Sequence, residues 1–185
     1  MKPSLKGRTI LLGVTGSIAA YKACDVVRRL QEKGCGVTVV MTKGAENFIT
    51  PLSLENLSGR KVHKKMFEQD NNAWRINHIH LAQQADVLLI APATANIIGK
   101  IANGIADDLL SCLAMATKAK ILIAPAMNTD MYNNKIVQAN ITKLKDLGFN
   151  FILPTEGKLA CGTTGEGHLA DVEAIVDAVY RLLKK

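Results

Sequence analysis

The stretch Ile121-Leu-Ile-Ala-Pro-Ala-Met-Asn-Thr-Asp-Met-Tyr-Asn-Asn134 is a short apolar run that stops at Pro125 and continues as a polar loop. Residues 121–124 have the length and branching of a buried parallel strand, and Pro125 ends that strand because proline cannot donate a ladder hydrogen bond. Asn128 and Met131 therefore follow the carboxyl end of a strand. In open α/β sheets this is the edge at which ligands bind.

A second run, Val87-Leu-Leu-Ile-Ala-Pro92, has the same form and leads into Thr94, Ala95 and Asn96. Because parallel strands end at one edge of a sheet, the two Ala-Pro loops are expected to lie side by side. Each is followed by small residues and an asparagine, which predicts a shallow floor with amide groups at its rim. A flat aromatic cofactor would fit on such a floor.

The bulk composition is typical of a single α/β domain that spans residues 1–185. Hydrophobic residues make up 48% of the chain and aromatic residues 4%, which suits a parallel sheet covered by helices. No run approaches the roughly 20 apolar residues of a membrane span. The lysine-bearing start lacks the apolar core of a signal peptide, so we expect a cytoplasmic protein without a membrane partner.

Charge and cysteine usage argue against two classes of site. The net charge of +7 is scattered along the chain, without the stacking aromatics of single-strand binders, so no nucleic-acid partner is expected. His78 and His80 would share one face in extended chain, yet no further ligand stands at metal spacing, so no metal is expected. The four cysteines form no CxxC pair and are most simply free thiols.

The turn after the first predicted strand, residues 8–14, has the composition of an anion site. Its sequence is Gly13-Val-Thr-Gly-Ser-Ile18, and Ser17 is placed to cap a helix predicted over residues 17–33. Unpaired N–H groups in such a turn favour negative charge. The GxGxxG pattern is missing and no acidic residue closes the next strand, so a mononucleotide fits better than NAD. A tight capped turn without a ligand is the alternative.

The loop of Thr42, Lys43 and Gly44 follows the second predicted strand. In a doubly wound sheet this loop would lie beside Gly16 and complete a phosphate cradle. Beyond it, the polar and basic segment near residues 60–75 is expected to be flexible. Further along, Asp107 is predicted to cap a helix over residues 109–117, which explains the Asp-Asp pair better than acid/base catalysis does.

The loop over residues 154–168 combines four glycines with Lys158 and Cys161. A loop of this composition inside a compact domain is usually either disordered or a functional lid. Three of the four cysteines lie in apolar or helical segments and are interpreted as small core residues. Cys161 lies in a polar loop, where a thiol would not contribute to core packing. Lys158 offers a cation and Cys161 an accessible thiol next to whatever the Ala-Pro loops bind.

Five motifs are together highly specific: Gly16-Ser-Ile-Ala-Ala, His78-Ile-x-Leu, Ala91-Pro-Ala-Thr-Ala-Asn, Pro125-Ala-Met-Asn-x-x-Met and Ala160-Cys-Gly-x-x-Gly-x-Gly. In this order they resemble the phosphopantothenoylcysteine decarboxylases of the FMN-dependent cysteine decarboxylase flavoprotein family, over nearly the whole chain. The resemblance implies an α/β fold, single-domain and Rossmann-like (flavodoxin-like), with three layers around a central parallel sheet. It also implies FMN as cofactor.

The implied reaction converts 4'-phosphopantothenoylcysteine to 4'-phosphopantetheine in coenzyme A biosynthesis. Direct loss of CO₂ from the cysteine carboxylate would leave a carbanion with no place for its charge. In the family, the thiol-bearing carbon is first oxidised to a thioaldehyde, CO₂ is then lost, and the resulting enethiol is reduced again.

The resemblance also implies roles for individual residues. His78 would be the acid/base group, and Asn128 would bind the substrate carboxylate with Met131 nearby. Cys161 would donate a proton to the enethiol, next to a clamp formed by Lys158, Leu159 and Ala160. The loop over residues 154–168 would then be a substrate-clamp flap. The implied FMN contacts are Gly16, Ser17, Ile18, Thr42, Lys43, Gly44, Thr94, Ala95, Asn96, Ile97 and Ala126.

Similar enzymes are trimers, sometimes four trimers together, so a homo-oligomer is implied. In many bacteria this domain is fused to a phosphopantothenate–cysteine ligase, so this chain is expected to be either a stand-alone enzyme or an excised half. Two positions depart from the family pattern: His80 stands where an acidic residue is expected, and Thr163 where relatives often have aspartate.

Two rival functions stay open at this point. A peptidyl-cysteine decarboxylase would share the FMN loops and the histidine, without the flap around Cys161. A non-catalytic FMN-binding regulatory protein would share the fold, usually with acidic extensions. A flavin prenyltransferase is a more distant relative that the Pro-Ala-Met-Asn segment disfavours.

Overall fold

Five parallel strands form the central sheet in a computed structural model that describes residues 5–70, 73–158 and 164–184. In chain order the strands are β1 (Thr9–Val14), β2 (Gly36–Met41), β3 (Phe67–Asp70), β4 (Ala73–Ile76), β5 (Val87–Ala93), β6 (Lys120–Pro125), β7 (Asn150–Phe151), β8 (Thr155–Lys158) and β9 (Thr164–His168). The sheet order is β2-β1-β5-β6-β7, whereas β3–β4 and β8–β9 are antiparallel hairpins. This is the flavodoxin-like order, in which the strands are first added on one side of β1 and then, from β5 onward, on its other side. The predicted fold class is confirmed.

Helices cover both faces of the sheet. In the described ranges they are α1 (Ala23–Glu32), α2 (Pro51–Ser58), α3 (Asn77–Gln84), α4 (Ala95–Ala102), α5 (Leu109–Ala116), α6 (Thr129–Tyr132), α7 (Lys135–Asp146) and α8 (Val172–Lys184). Helices α1, α2 and α8 form one layer, and α3, α4, α5 and α7 form the other. None of these helices is long and apolar enough to cross a membrane.

Alternate residues of each strand point to opposite faces and so separate two cores. In β1, Leu12 packs with α1 and α8, whereas Leu11 packs with α4 and α5. Gly13 of the same strand leaves room for α5, because a Cβ added there would lie 2.5 Å from Cδ1 of Leu110. Burial on both faces explains why these strands have continuous apolar sequences rather than alternating ones.

Two helix ends have residues that are typical of such positions, and a third differs from the prediction. Pro51 is in the first turn of α2, and Gly148, with φ +89°, follows α7. Helix α5 is capped by Asp108, whose Oδ1 accepts a hydrogen bond from the Ser111 N–H at 2.9 Å. The prediction that Asp107 is the cap was wrong by one residue, because Asp107 instead pairs with the Lys100 side chain.

The two histidines of the His-x-His segment do not share a face. Strand β4 ends at Ile76 and α3 begins at Asn77, so His78 and His80 both lie in a helix. Helical positions two apart point roughly 200° away from each other. The prediction of a shared face in extended chain was therefore wrong; Nε2 of His80 lies 3.1 Å from Nε2 of Gln84.

The segment near residues 60–75 contains regular pairing. The His63 N–H donates to the Val39 carbonyl oxygen, and the Met41 N–H donates to the His63 carbonyl oxygen, both at 2.9 Å. The β3–β4 hairpin follows, and residues 71 and 72 lie outside the described ranges. The flexibility of this segment stays a prediction.

Both ends of the described chain lie at the amino edge of the sheet. Arg8, just before β1, pairs with Asp86, just before β5, at 2.7 Å. At the end of α8, the Leu182 carbonyl oxygen accepts a hydrogen bond from Nζ of Lys120 at 2.9 Å. These four residues line a cavity of about 570 Å³ that contains none of the predicted site residues.

Candidate functional site

The loops after β1 and β5 are joined by one buried hydroxyl at the carboxyl edge of the sheet. Oγ1 of Thr15 donates to the Pro92 carbonyl oxygen at 2.7 Å and accepts from the Thr94 N–H at 3.1 Å. Thr15 is 1% exposed. Sequence reasoning missed this residue, and its signal was a hydroxyl placed directly after a buried strand.

The loop after β2 lies against the turn after β1. A Cβ added to Gly16 would lie 2.8 Å from the carbonyl carbon of Gly44, so the two backbones approach as only glycine allows. The Thr42 N–H also donates to the Val14 carbonyl oxygen at 3.0 Å. The predicted proximity of these loops is confirmed.

The turn after β1 has donors available for an anion. Oγ of Ser17 accepts from the Ala19 N–H at 3.3 Å, which confirms the predicted cap. The N–H groups of Gly16 and Ile18 make no hydrogen bond to any residue in the described ranges. Backbone N–H groups without a partner in the protein are suited to bind a phosphate group.

A cavity of about 590 Å³ opens at this edge, within the size range of cofactor sites. The structure brings together in its lining seven of the predicted site residues: Gly16, Ser17, Ile18, Thr94, Ala126, Asn128 and Met131. They come from the loops after β1, β5 and β6. The sequence thus predicted three of the segments that line the cavity.

Other predicted residues do not line the cavity. The loop of residues 42–44 lies behind Gly16, and Ala95, Asn96 and Ile97 begin α4. Ile97 is buried in the core, whereas Asn96 is exposed. Leu159, Ala160, Cys161 and Thr163 lie outside the described residues, and Lys158 ends β8.

His78 lies on α3, outside the cavity lining. Its Nδ1 is buried and has no hydrogen-bond partner in the part of the chain that the structure describes. An unpaired buried ring nitrogen is costly, so this is a group with unused hydrogen-bonding capacity. Among the described residues, no cluster of three metal-ligating side chains forms around it or elsewhere.

Asn128 occupies the N-cap position of α6. Its Oδ1 accepts from the Asp130 N–H at 2.8 Å and from the Met131 N–H at 3.4 Å. Since both donors lie on the helix side, the amide oxygen faces α6 and the NH₂ group points the other way. The cap therefore fixes the orientation of an amide donor in the cavity wall.

Strand β9, which lies in the predicted flap of residues 154–168, forms a wall of the cavity; the sequence analysis did not predict a strand there. The Met127 N–H donates to the Gly167 carbonyl oxygen at 3.0 Å. His168 lines the cavity, and its Nδ1 lies 3.1 Å from the Leu169 carbonyl oxygen. The alternating Gly-Glu-Gly sequence was the available signal, because glycines two apart in a strand mark a close approach of backbone.

An ion-pair cluster connects α4 to the start of α5. Nζ of Lys100 lies 2.7 Å from Asp107 Oδ1 and 2.7 Å from Asp108 Oδ2. Burial alone would raise the pKa of the Asp108 carboxyl, but hydrogen bonds from Lys100 and Ser111 outweigh it and lower that pKa. Burial would likewise lower the pKa of Lys100, and the two carboxylates raise it.

The three cysteines in the described ranges are free thiols, as predicted. Burial raises the pKa of Cys24 and Cys112, and it raises the pKa of Cys35 to about 11. A raised pKa keeps a thiol protonated and unreactive at neutral pH. These side chains therefore serve packing.

The residues of the cavity fit a flavin mononucleotide. Ile18, Phe48 and Leu169 provide apolar surface for a flat ring, and Ala126 keeps the floor low. The N–H groups of the turn at Gly16 supply phosphate donors at one end. The set combines an apolar ring site with an anion site, as a mononucleotide requires.

Proteins of similar sequence include two groups that differ in length. The coenzyme A biosynthesis bifunctional protein CoaBC of Bacillus subtilis is 46% identical over 172 residues, which are 93% of this chain and 42% of that protein. This chain thus spans about two fifths of that relative. A probable phosphopantothenoylcysteine decarboxylase of Streptococcus mutans is 45% identical over 178 residues, 95% of this chain and 99% of that protein.

Solved structures share the fold over nearly the whole chain. A mutant of PPC decarboxylase complexed with pantothenoylaminoethenethiol has a TM-score of 0.85 and 33% identity, covering 96% of this chain and 99% of that chain. The FMN-dependent cysteine decarboxylase SpaF has a TM-score of 0.83 and 32% identity, covering 97% and 99%. The family model described as Flavoprotein matches residues 2–184. The chain belongs to the flavoprotein family.

Proposed function

We propose that this chain catalyses the FMN-dependent decarboxylation of 4'-phosphopantothenoylcysteine to 4'-phosphopantetheine, a step of coenzyme A biosynthesis. The observation that carries the proposal is one cavity that joins the turn at Gly16, the floor at Ala126 and the amide of Asn128. A flavin needs the first two, and a cysteine carboxylate needs the third. The Streptococcus mutans relative, matched over 99% of its length, bears the name of this reaction.

FMN, when bound, supplies the oxidation and reduction that allow the substrate to lose CO₂. The protein's part is to hold and orient. The N–H groups of Gly16 and Ile18 would donate to the phosphate, and the loop containing Thr42 would support that turn from behind. Because Ala126 has only a methyl side chain, a flat ring would lie close to the floor.

Asn128 would bind the carboxylate that leaves as CO₂. Its NH₂ group donates a hydrogen bond while Oδ1 stays on the helix N–H groups. A neutral donor orients the carboxylate without the strong ionic stabilisation that an arginine would give to a charge that has to disappear. Met131, 49% exposed in the cavity lining, would contact the substrate.

His78 and Cys161 would carry the proton transfers, and Lys158, Leu159 and Ala160 would hold the substrate. Because His78 does not line the cavity of one copy, we propose that a neighbouring copy completes the site. Such a neighbour would be present in a homotrimer, and equally in a dodecamer made of four trimers. Ile18, Tyr21 and Phe48, which line the cavity, are 58%, 57% and 45% exposed and would be covered by the neighbour.

The substrate and the relatives suggest the cellular setting. We propose that the chain acts in the cytoplasm, where coenzyme A intermediates are made. A phosphopantothenate–cysteine ligase, as a separate protein or as a fused domain, would supply the substrate. The bifunctional relatives, of which this chain matches about two fifths, support a fused domain, because their names describe two functions in one chain.

The test is a paired assay on purified protein. A flavin absorbance scan is followed by measurement of CO₂ and of product mass after addition of 4'-phosphopantothenoylcysteine. Wild-type protein should release CO₂ and form the saturated thiol, whereas Cys161→Ser should stop at a product two hydrogens lighter. Cys112→Ser, a half-buried thiol on α5 outside the cavity, is the control and should behave as wild type.

Other outcomes separate the rival functions. Bound FMN with turnover of a cysteine-ended peptide, and none of the phosphorylated substrate, would indicate a peptidyl-cysteine decarboxylase. Bound FMN with no turnover of either would indicate a regulatory protein. A colourless protein that cannot be reconstituted with FMN would contradict the assignment of the cavity.

A further inference from the structure

Asn128 lies between two contacts with the same strand. On one side, the Met127 N–H donates to the Gly167 carbonyl oxygen of β9 at 3.0 Å. On the other side, the Thr129 side chain packs against Gly165 of β9. Helix α6, which Asn128 caps, has only four residues and thus few hydrogen bonds of its own. The orientation of this turn therefore depends on what lies beside it.

The contact between Thr129 and Gly165 leaves no space for a further atom. A Cβ added to Gly165 would lie 2.6 Å from Oγ1, 3.0 Å from Cγ2 and 3.3 Å from Cβ of Thr129. Oγ1 of Thr129 is buried without a hydrogen-bond partner in the described part of the chain. Because the hydroxyl has no hydrogen-bond partner there, the Thr129 side chain contributes to this contact through its shape alone.

We propose that Thr129 and Gly165 are positioning residues, whose contact holds the Asn128 amide at the distance and angle that the substrate carboxylate requires. The inference rests on the proposed function, because it assumes that Asn128 binds that carboxylate. Displacement of a binding group by about 1 Å lowers turnover by as much as about 100-fold. Strand β9 thus sets the orientation of Asn128, which lies in the same cavity wall.

A double-substitution cycle tests the proposal. Gly165→Ala pushes Thr129 away, and Thr129→Ala opens a gap; we expect each to lower kcat/KM by about 10-fold, with the bound-FMN spectrum unchanged. In the double variant the new methyl fills the gap, so kcat/KM should return to within about 3-fold of wild type. Losses that simply multiply in the double variant would overturn the proposal.

The matched control is Gly157→Ala, on the other strand of the same hairpin. A Cβ there would lie 3.4 Å from Cγ of His168, an ordinary contact, so kcat/KM should stay within about 2-fold of wild type. An equal loss in this control would mean that any substitution in the hairpin impairs the enzyme. That result would also overturn the specific role of Gly165.

Hydrogen exchange measures the contact without turnover. Thr129→Ala adds no atoms, so it tests the contact even if Gly165→Ala fails to fold. The Met127 amide, bonded to Gly167, should exchange about 10-fold faster in Thr129→Ala and should regain protection in the double variant. Unchanged exchange would overturn the coupling. If wild-type protein lacked decarboxylase activity while this exchange pattern held, the proposed function would fail and the coupling would stand.

Discussion

Strands β5 and β6 share the sequence Ala-Pro-Ala at their carboxyl ends, yet the asparagines that follow lie in different places. After β5, Thr94 is the cap and α4 starts at once, so Asn96 falls in the first helical turn and is exposed. After β6, Asn128 is itself the cap of α6 and lines the cavity. The position of the asparagine relative to the helix start, and not the motif, decides whether its amide reaches the cavity.

The two loops also differ in what holds them. The loop after β5 is held by the buried hydroxyl of Thr15, through Pro92 and Thr94. The loop after β6 is held by the backbone of β9, through Met127 and Gly167. One support is a side chain that a substitution can remove, and the other is a close approach of backbone that only glycine permits.

Gly167→Ala should break the loop after β6. The residue has φ +126°, and an added Cβ would collide with the Met127 carbonyl oxygen. We expect the free energy of unfolding to fall by about 3 kcal/mol in a urea titration. Gly148→Ala, at φ +89° with open space around its Cβ, should cost about 1 kcal/mol from backbone strain alone. Equal losses at the two glycines would show that the collision is relieved at no cost.

Asn128→Ser should separate the two asparagines by activity. Serine keeps an N-cap oxygen, so the free energy of unfolding should change by less than about 0.5 kcal/mol. Loss of the donor to a charged carboxylate should lower kcat/KM by about 50-fold. With FMN in excess, Asn96→Ser should lower kcat/KM by less than about 5-fold, because this predicted FMN contact lies on α4 outside the cavity lining. Similar losses in both variants would contradict the assignment of the carboxylate to Asn128.

These cases show what the sequence could and could not predict. The two Ala-Pro segments and the cap at Ser17 follow from local patterns, whereas the flavodoxin-like fold was implied by the family resemblance; the structure has all of them. Asp107 was misplaced as the cap because a helix boundary moves by one residue with little change in local energy, and such a shift turns a side chain by about 100°. The role of Asn96 as an FMN contact stays a prediction. The support from Gly167 could not be foreseen, because it joins residues 40 positions apart through backbone contact.

Thr15→Val should weaken the loop after β5 without touching the loop after β6. Valine has the same shape, so the loss is that of two hydrogen bonds in a buried place, about 2 kcal/mol in the free energy of unfolding. Thr9→Val, at the start of β1, is the control and should change that free energy by less than about 0.5 kcal/mol. Hydrogen exchange at the Met127 amide should be unchanged in Thr15→Val, and faster exchange would show that the two supports are coupled.

Asp108 gives the smallest effect, and its sign depends on pH. The pKa of this carboxyl is lower in the folded protein, so its contribution to stability is complete above the unfolded pKa, about 3.9, and is lost as pH falls through the folded pKa. Asp108→Asn keeps the helix cap and removes the charge next to Lys100. Wild type should be more stable than this variant by about 0.5 to 1 kcal/mol at pH 7, and the difference should shrink below about pH 4.

Urea titrations of both proteins at pH 7 and pH 3 would check this prediction. A difference that stayed constant with pH would contradict a stabilising contribution from the charge of Asp108. Asp108→Ala, which removes both the cap and the charge, should cost about 1 kcal/mol more than Asp108→Asn at either pH.

The position of the chain ends at the amino edge of the sheet bears on how the protein can be handled. Arg8 and Leu182 lie at the edge opposite the cavity that holds Gly16 and Asn128. An affinity tag, a biosensor surface or a second folded unit joined before β1 or after α8 would therefore be attached away from the cavity and from the exposed residues around it. Material immobilised through either end should bind small molecules as the protein in solution does.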